Sequence, residues 1–252
     1  MSKTILTIAA AAAALVAGSA LASTPTAKPS VGKTSTPQQV AANALPPASS
    51  VAPSGQPAPA AAGTKSTYAV NGFRSATFGM SEDEVKAAIN RDFGIGADKI
   101  VAQASPLEGT TALAVRTALP PGPGEATIDY IFGAKSRRLT HVNVVWATGP
   151  TPTDAERGGI ATAGLQLSKY FQGQSWQRFV QPAASQNGVL MFGGLDPKGA
   201  AVLVETDGIK LSVKGKDGKV AANDPKGPAI LHVSYDQDVA HPDIVQIKQG
   251  SF

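Results

Sequence analysis

The chain contains no cysteine among its 252 residues. That excludes a disulfide framework, a thiolate zinc site, an iron–sulfur cluster, a cysteine nucleophile and the lipid-bearing cysteine of a bacterial lipoprotein. Acidic residues are missing from the first 64 positions, where Lys3, Lys28 and Lys33 are the only charges. The rest of the chain holds 19 of the 22 basic groups against all 18 acidic ones, so its balance is close to neutral. A field that weak gives no reason to expect nucleic acid as a partner. Aromatic residues are scarce at 6%, and all of them lie beyond residue 64, which places the start of packed structure there.

Residues 1–22 read as an export signal. Lys3 supplies the positive start, Ile5 to Val16 is an apolar run interrupted only by Thr7, and Ala20-Leu21-Ala22 offers a small-x-small cleavage site before Ser23. The run approaches the ~20 residues of a membrane span, so an uncleaved anchor is the competing reading. With the signal removed, no apolar stretch of that length remains, and the mature chain is expected to be soluble in a bacterial periplasm or outside the cell. Residues 23–64 are a different material, with 29 of 42 positions Pro, Ala, Ser or Thr. Such a segment cannot bury enough apolar surface to offset its ordering entropy, and a disordered tail is expected.

Residues 65–252 carry the periodic patterns of one α+β domain. Ser81-Glu82-Asp83-Glu84 is a capping box, followed by a stripe of Val85, Ala88, Ile89 and Phe93 that ends at Gly94. The period then drops to two: Leu113, Val115 and Thr117, then Ile128, Tyr130 and Phe132, then Val142, Val144 and Trp146 each line one side of a strand. A second capping box, Thr153-Asp154-Ala155-Glu156, opens a helix with the stripe Ile160, Ala163, Leu167 and Phe171 before Gly173. Its Gly158, Gly159 and Gly164 each cost about 1 kcal/mol relative to Ala, so it needs tertiary support. Strands are expected at 189–192, 202–204, 209–213 and 230–235, with turns at Asp196-Pro197-Lys198-Gly199 and Asp217-Gly218. The order helix, strands, helix, strands predicts an antiparallel sheet with helices packed on one face. It suggests two diverged helix-plus-three-strand halves, 65–150 and 151–252.

At Gly79-Met80-Ser81 and Val85 the chain resembles the small envelope family known as SmpA/OmlA and the related tandem β-lactamase-inhibitor-protein fold. Both start a helix with Gly-Met-Thr/Ser-x-x-x-Val before a three-stranded sheet. This chain departs from the first in lacking its lipid-anchor cysteine, and it has no Gly-Met at its second helix. The resemblance implies a scaffold that binds protein through a sheet face and uses no cofactor.

Motifs of catalysis are absent: no Gly-x-Ser-x-Gly elbow, no phosphate loop, no His-Glu-x-x-His and no calcium loop. His141 and His232 fall within expected strands and His241 precedes Pro242. The three are the alternative metal set, with Asp236, Asp238 or Asp243 as an oxygen donor. Lys135, Arg137, Arg138 and Trp146 are the candidate binding residues, since arginine beside an aromatic can anchor a partner, although Trp146 shares its side with Val142 and Val144 and reads as core. These residues point to an exported, non-catalytic binding or adaptor protein whose partner is an envelope protein, with no cofactor and no stable membrane insertion after signal removal. The rival readings are a metal or small-molecule carrier and a hydrolase with dispersed site residues.

Overall fold

The computed structural model describes residues 67–180, 182–184, 188–214, 220–222 and 224–246. The expected export signal and tail, and the Asp217-Gly218 turn, lie outside the described residues. A two-residue hairpin, β1 (Gly72–Phe73) and β2 (Ala76–Thr77), leads into α1 (Glu82–Phe93). Ser81 caps α1 as the sequence requires: its hydroxyl accepts from the Glu84 amide while the Glu84 carboxylate accepts from the Ser81 amide at 2.7 Å. Gly94 closes the helix in the left-handed region at φ 67°, which a side chain would resist. After a 3-10 turn (Ala97–Lys99) the chain runs through four strands: β3 (Val101–Ser105), β4 (Thr110–Ala118), β5 (Glu125–Phe132) and β6 (Leu139–Ala147).

The second half opens with α2 (Asp154–Gln172), capped by the Thr153–Glu156 box. Next come β7 (Arg178–Val180), β8 (Ala183–Ala184), β9 (Gly188–Leu195), β10 (Ala201–Asp207), the small separate hairpin β11 (Ser212–Lys214) and β12 (Val220–Ala222), and finally β13 (Ile230–Asp236). All pairings are antiparallel, and the main sheet is ordered β3-β4-β5-β6-β13-β10-β9-β7, with β8 also on β9. The last strand therefore returns to the middle. The β6–β13 seam divides the nine strands into four from the first half and five from the second, β7 and β8 both pairing with β9, where the residue pattern suggests three from each.

Register decides which face each residue serves. Val115, Ile128, Val144, Val233, Val204 and Phe192 stand directly opposite one another across six strands, and Leu113, Tyr130, Val142, Tyr235 and Val202 form the next row. These rows join Val85, Ala88 and Ile89 of α1 and Ile160, Ala163 and Phe171 of α2 in one apolar core, so both helices pack on the same face. The glycines of α2 find a use at Gly164, where a Cβ would come within 2.6 Å of the Met191 sulfur and 2.9 Å of Thr206 Cγ2. The missing side chain lets the helix approach the sheet, which offsets its propensity cost. Arg157, also buried, donates to the Gly208 carbonyl and, at 3.0 Å, to that of Gly227, tying α2 to the roots of the small hairpin.

Candidate functional site

The alternate residues of the same strands make the other face of the sheet, on which no helix packs among the described residues. Three rows cross its middle. One runs Ala114, Asp129, Asn143, Ser234 and Leu203; its neighbours run Ile131, His141, Asp236 and Ala201 on one side and Thr127, Val145, His232 and Glu205 on the other. Polar groups concentrate on the β6–β13 seam and its two flanking strands, while apolar and small residues surround them.

Asn143 is the hub. Its Oδ1 lies 2.7 Å from Nε2 of His141 and 2.7 Å from Nε2 of His232. Each imidazole then turns its Nδ1 to a carboxylate: His141 makes a short hydrogen bond to Asp236, and His232 stands 3.7 Å from Glu205. Ser234, 3% exposed, donates to the second oxygen of Asp236 at 3.1 Å. The chain Glu205, His232, Asn143, His141, Asp236, Ser234 thus joins three strands, with one imidazole from each half of the fold.

Proton counting shows what this arrangement can do. With Oδ1 facing both rings, each Nε2 donates, and the His141 ring, whose Nδ1 is bonded to Asp236, is then an imidazolium. A half-turn of the Asn143 carboxamide presents its NH2 instead, which donates to two unprotonated Nε2 atoms while the Nδ1–H of His141 serves Asp236. One set of positions therefore accommodates a charged and a neutral His141 ring. For His141, burial alone would depress the pKa, but the hydrogen bond and charge of Asp236, helped by Asn143 and Glu108, outweigh it and raise the value above the usual imidazole range. A folded-state pKa above the unfolded one contributes stability that is complete below the unfolded value and is lost as pH rises through the folded value. The thermal midpoint is expected to fall across that range from mildly acidic to mildly alkaline pH. His141→Gln should flatten this part of the profile, and an unchanged slope would show that the pair does not titrate as described.

Asp129 adjoins both rings and differs from the other carboxylates. It accepts no hydrogen bond among the described residues. Burial raises its pKa, against the attraction of His232 and His141. Among the described residues this partly desolvated carboxylate therefore has charge attraction from two rings but no hydrogen-bond donor. Asp129→Asn is expected to stabilise the protein on the order of 1 kcal/mol at neutral and alkaline pH. A raised carboxyl pKa makes wild-type stability decline as pH climbs through it, so the gain should vanish in acid. Chemical denaturation at three pH values checks this, and destabilisation at every pH would contradict it.

The structure separates the other candidates. Lys135, Arg137 and Arg138 sit in the β5–β6 turn: the Lys135 amide donates to Asp243 at 2.9 Å, Arg137 donates to the Gly109 carbonyl at 3.2 Å, and Arg138 stands 3.8 Å from Glu84. Asp243 accepts from Ser136 as well, and these bonds hold its pKa below the usual range. Trp146 is at the opposite end of β6, 3% exposed on the helix-covered face, with its indole N–H bonded to the Leu119 carbonyl at 3.0 Å. It serves the core and forms no patch with the three basic residues. His241 lies beyond β13, exposed, paired with Asp238 at 3.2 Å, and does not join the other two histidines at Asn143. Among the described residues no group of three or more His, Asp or Glu side chains is arranged to hold a metal ion.

A second feature is an open groove of about 610 Å³ lined by Val70, Asn71, Thr77, Phe78, Lys198 and Gln237, with Asp238 at its rim. The Asp238 carboxylate is already committed to the amides of Ala240 and His241 and to the His241 ring, bonds that together outweigh desolvation and lower its pKa.

Sequence reasoning missed Asp129, Asn143, Glu205 and Ser234. The available signal was the period-two spacing of His141 with Asn143, and of His232 with Ser234 and Asp236, on strands whose other residues are apolar. Comparison of the chain with protein families, with curated proteins and with solved structures finds no match in any of the three.

Proposed function

We propose that this is an exported, non-catalytic binding protein of the bacterial periplasm, which holds an envelope protein against the helix-free face of its sheet and needs no cofactor. The observation that carries the reading is Asp129, a partly desolvated carboxylate at the centre of that face with no hydrogen-bond donor among the described residues. A charge that costs the fold stability is explained by a partner that satisfies it. The neighbouring groups favour binding over catalysis. Both nitrogens of His141 face partners within the fold, Asn143 and Asp236, and neither is turned toward a substrate. The Ser234 hydroxyl donates to a carboxylate, where an activated nucleophile would face an imidazole. The Ala20-Leu21-Ala22 site supports export, and the resemblance at Gly79-Met80-Ser81 agrees with a sheet-face binder.

A photo-crosslinking amino acid placed at Thr127 or Val145, on the open face, tests this in living cells, with Leu165 as the control because it is 61% exposed on α2. A discrete adduct with one envelope protein from the two face positions and none from Leu165 is expected, on a chain whose amino terminus is Ser23. Adducts from Leu165 alone, or none from the face, would overturn the reading.

A further inference from the structure

The groups that surround the two imidazoles differ in sign and in commitment. Facing His141 are Asp129 from β5, Asp236 from β13 and Glu108 from the loop before β4; facing His232 are Asp129 and, from β10, Glu205. The basic side chains of the three rows are Arg116, drawn 3.8 Å from Glu125, and Arg178 on the edge strand β7. Asp236 and Glu205 are each occupied by a ring. Among the described residues Asp129 is left as the carboxylate of this cluster that accepts no hydrogen bond and has no ring bonded to it.

Resting on the reading of this face as a binding surface, we propose that the protein partner inserts a cationic side chain, a guanidinium or an ammonium, onto Asp129, and that acid releases it by charging the flanking imidazole of His141. The complementarity is specific. With a neutral His141 ring the carboxylates of the cluster, Asp129, Glu205 and Asp236, attract a cation; with that ring charged the incoming cation meets a like charge beside Asp129. A group of the opposite sign would be repelled in the first state and would find its nearest cation already bonded in the second. The Asn143 carboxamide makes the exchange inexpensive in structure, because a rotation about one bond replaces the shared acceptor by two donors without moving either ring. The seam between the halves thereby acts as one proton-linked site.

The test uses the purified protein and three small probes, N-acetyl-arginine amide, N-acetyl-lysine amide and N-acetyl-glutamate amide, followed by backbone and Asn143 side-chain amide shifts. At about pH 8 the two cationic probes are expected to shift Asp129, Asn143 and their neighbours, and the better of the two identifies the cation. At about pH 5.5 their affinity should fall about tenfold, the scale of one charge interaction at these separations. Asp129→Asn should abolish the shifts at pH 8. His141→Gln should still bind at pH 8 and lose less affinity at pH 5.5 than the wild type. Undiminished binding to Asp129→Asn, equal affinity at both pH values, preference for the glutamate probe, or no binding by any probe would each overturn the proposal. If crosslinks from Thr127 persist while the cationic probes fail, the anchor chemistry is wrong and the binding face stands. If the probes bind as expected and no crosslink forms, the reverse holds.

Discussion

Asp196→Ala is expected to remove roughly 3–5 kcal/mol, a large fraction of the 5–15 kcal/mol that holds a domain folded. The side chain is completely buried. Its Oδ1 accepts from the amides of Lys198 at 2.7 Å and Ala200 at 2.9 Å, which shapes the β9–β10 turn, and its Oδ2 accepts from the Val70 amide at 3.1 Å. Deleting the carboxylate strands the buried N–H groups of Val70 and Ala200, each costing about 1–3 kcal/mol when left unpaired, and the part-buried one of Lys198. It also frees the backbone at Val70, leaving the segment held by the Tyr68 amide on the Ser175 carbonyl and by the Tyr68 ring against Phe171 and Trp176. Asp196→Asn keeps one oxygen but must set an amide against an amide donor, so a loss of about half that size is expected. Urea unfolding gives both values, and hydrogen exchange should rise first at Val70. A loss below about 1 kcal/mol for the Ala variant would mean that water takes over the three donors and that the carboxylate is replaceable.

That residue was legible in the sequence only as the opening of a turn, and the reason is general to this fold. Features set within about ten residues could be read directly: both capping boxes, both helix stripes, Gly94, and the alternation of β4, β5 and β6. Trp146 was likewise readable as core from its phase with Val142 and Val144. What depended on distant pairing could not be read. Strand β3 is Val-Ala-Gln-Ala-Ser, with one branched aliphatic residue and no amphipathic period, and it is a strand because β4 offers it a free edge. Residues 209–213 read as a strand beside its neighbours, but Gly208, at φ 60° and packed on the Pro228 backbone, turns the chain aside. Only Ser212–Lys214 becomes a strand, in a separate hairpin.

The candidate site shows the same division more sharply. That His141 and Asn143 leave β6 on the polar side follows from the alternation alone. That His232, 89 positions from Asn143, shares its oxygen follows only from β13 entering the middle of the sheet beside β6. A last strand added at an outer edge would have left the same histidines on opposite margins, with no network and an unremarkable Asp129. The insertion of β13 is therefore what joins the two halves and what assembles the polar cluster at their seam. The Lys135, Arg137 and Arg138 group, by contrast, is a local feature: the Lys135 amide and the Arg137 guanidinium fasten the β5–β6 turn, and Arg138 faces Glu84 of α1.

Phe171→Ala is expected to cost about 3–5 kcal/mol, the range for deleting a buried aromatic ring. Phe171 is 2% exposed near the end of α2 and meets rings on several sides. It stacks on Phe192 of β9 at 5.6 Å and 17°, and lies edge-on to Tyr68, Trp176 and Tyr235 at 6.2–6.4 Å. Its carbonyl also accepts the Trp176 indole N–H at 2.7 Å, and the Trp176 ring covers Gly194, where an added Cβ would stand 2.5 Å from it. The ring thus binds the N-terminal segment, the helix and both central and outer strands of the second half. Few residues of α2 can compensate, because Gly158, Gly159 and Gly164 leave the helix poor in intrinsic stability and dependent on its contacts. Phe171→Leu, which keeps most of the apolar volume but no stacking, should lose about 1–2 kcal/mol. Tyr170→Ala next to it, at a position 55% exposed, should lose well under half of the Phe171→Ala value. Equal losses at 170 and 171, measured by urea unfolding, would show that the aromatic cluster contributes no more than ordinary surface packing. A full-sized loss at 171 alone would identify it as the fastening of α2 to the covered face, which leaves the opposite face free to bind.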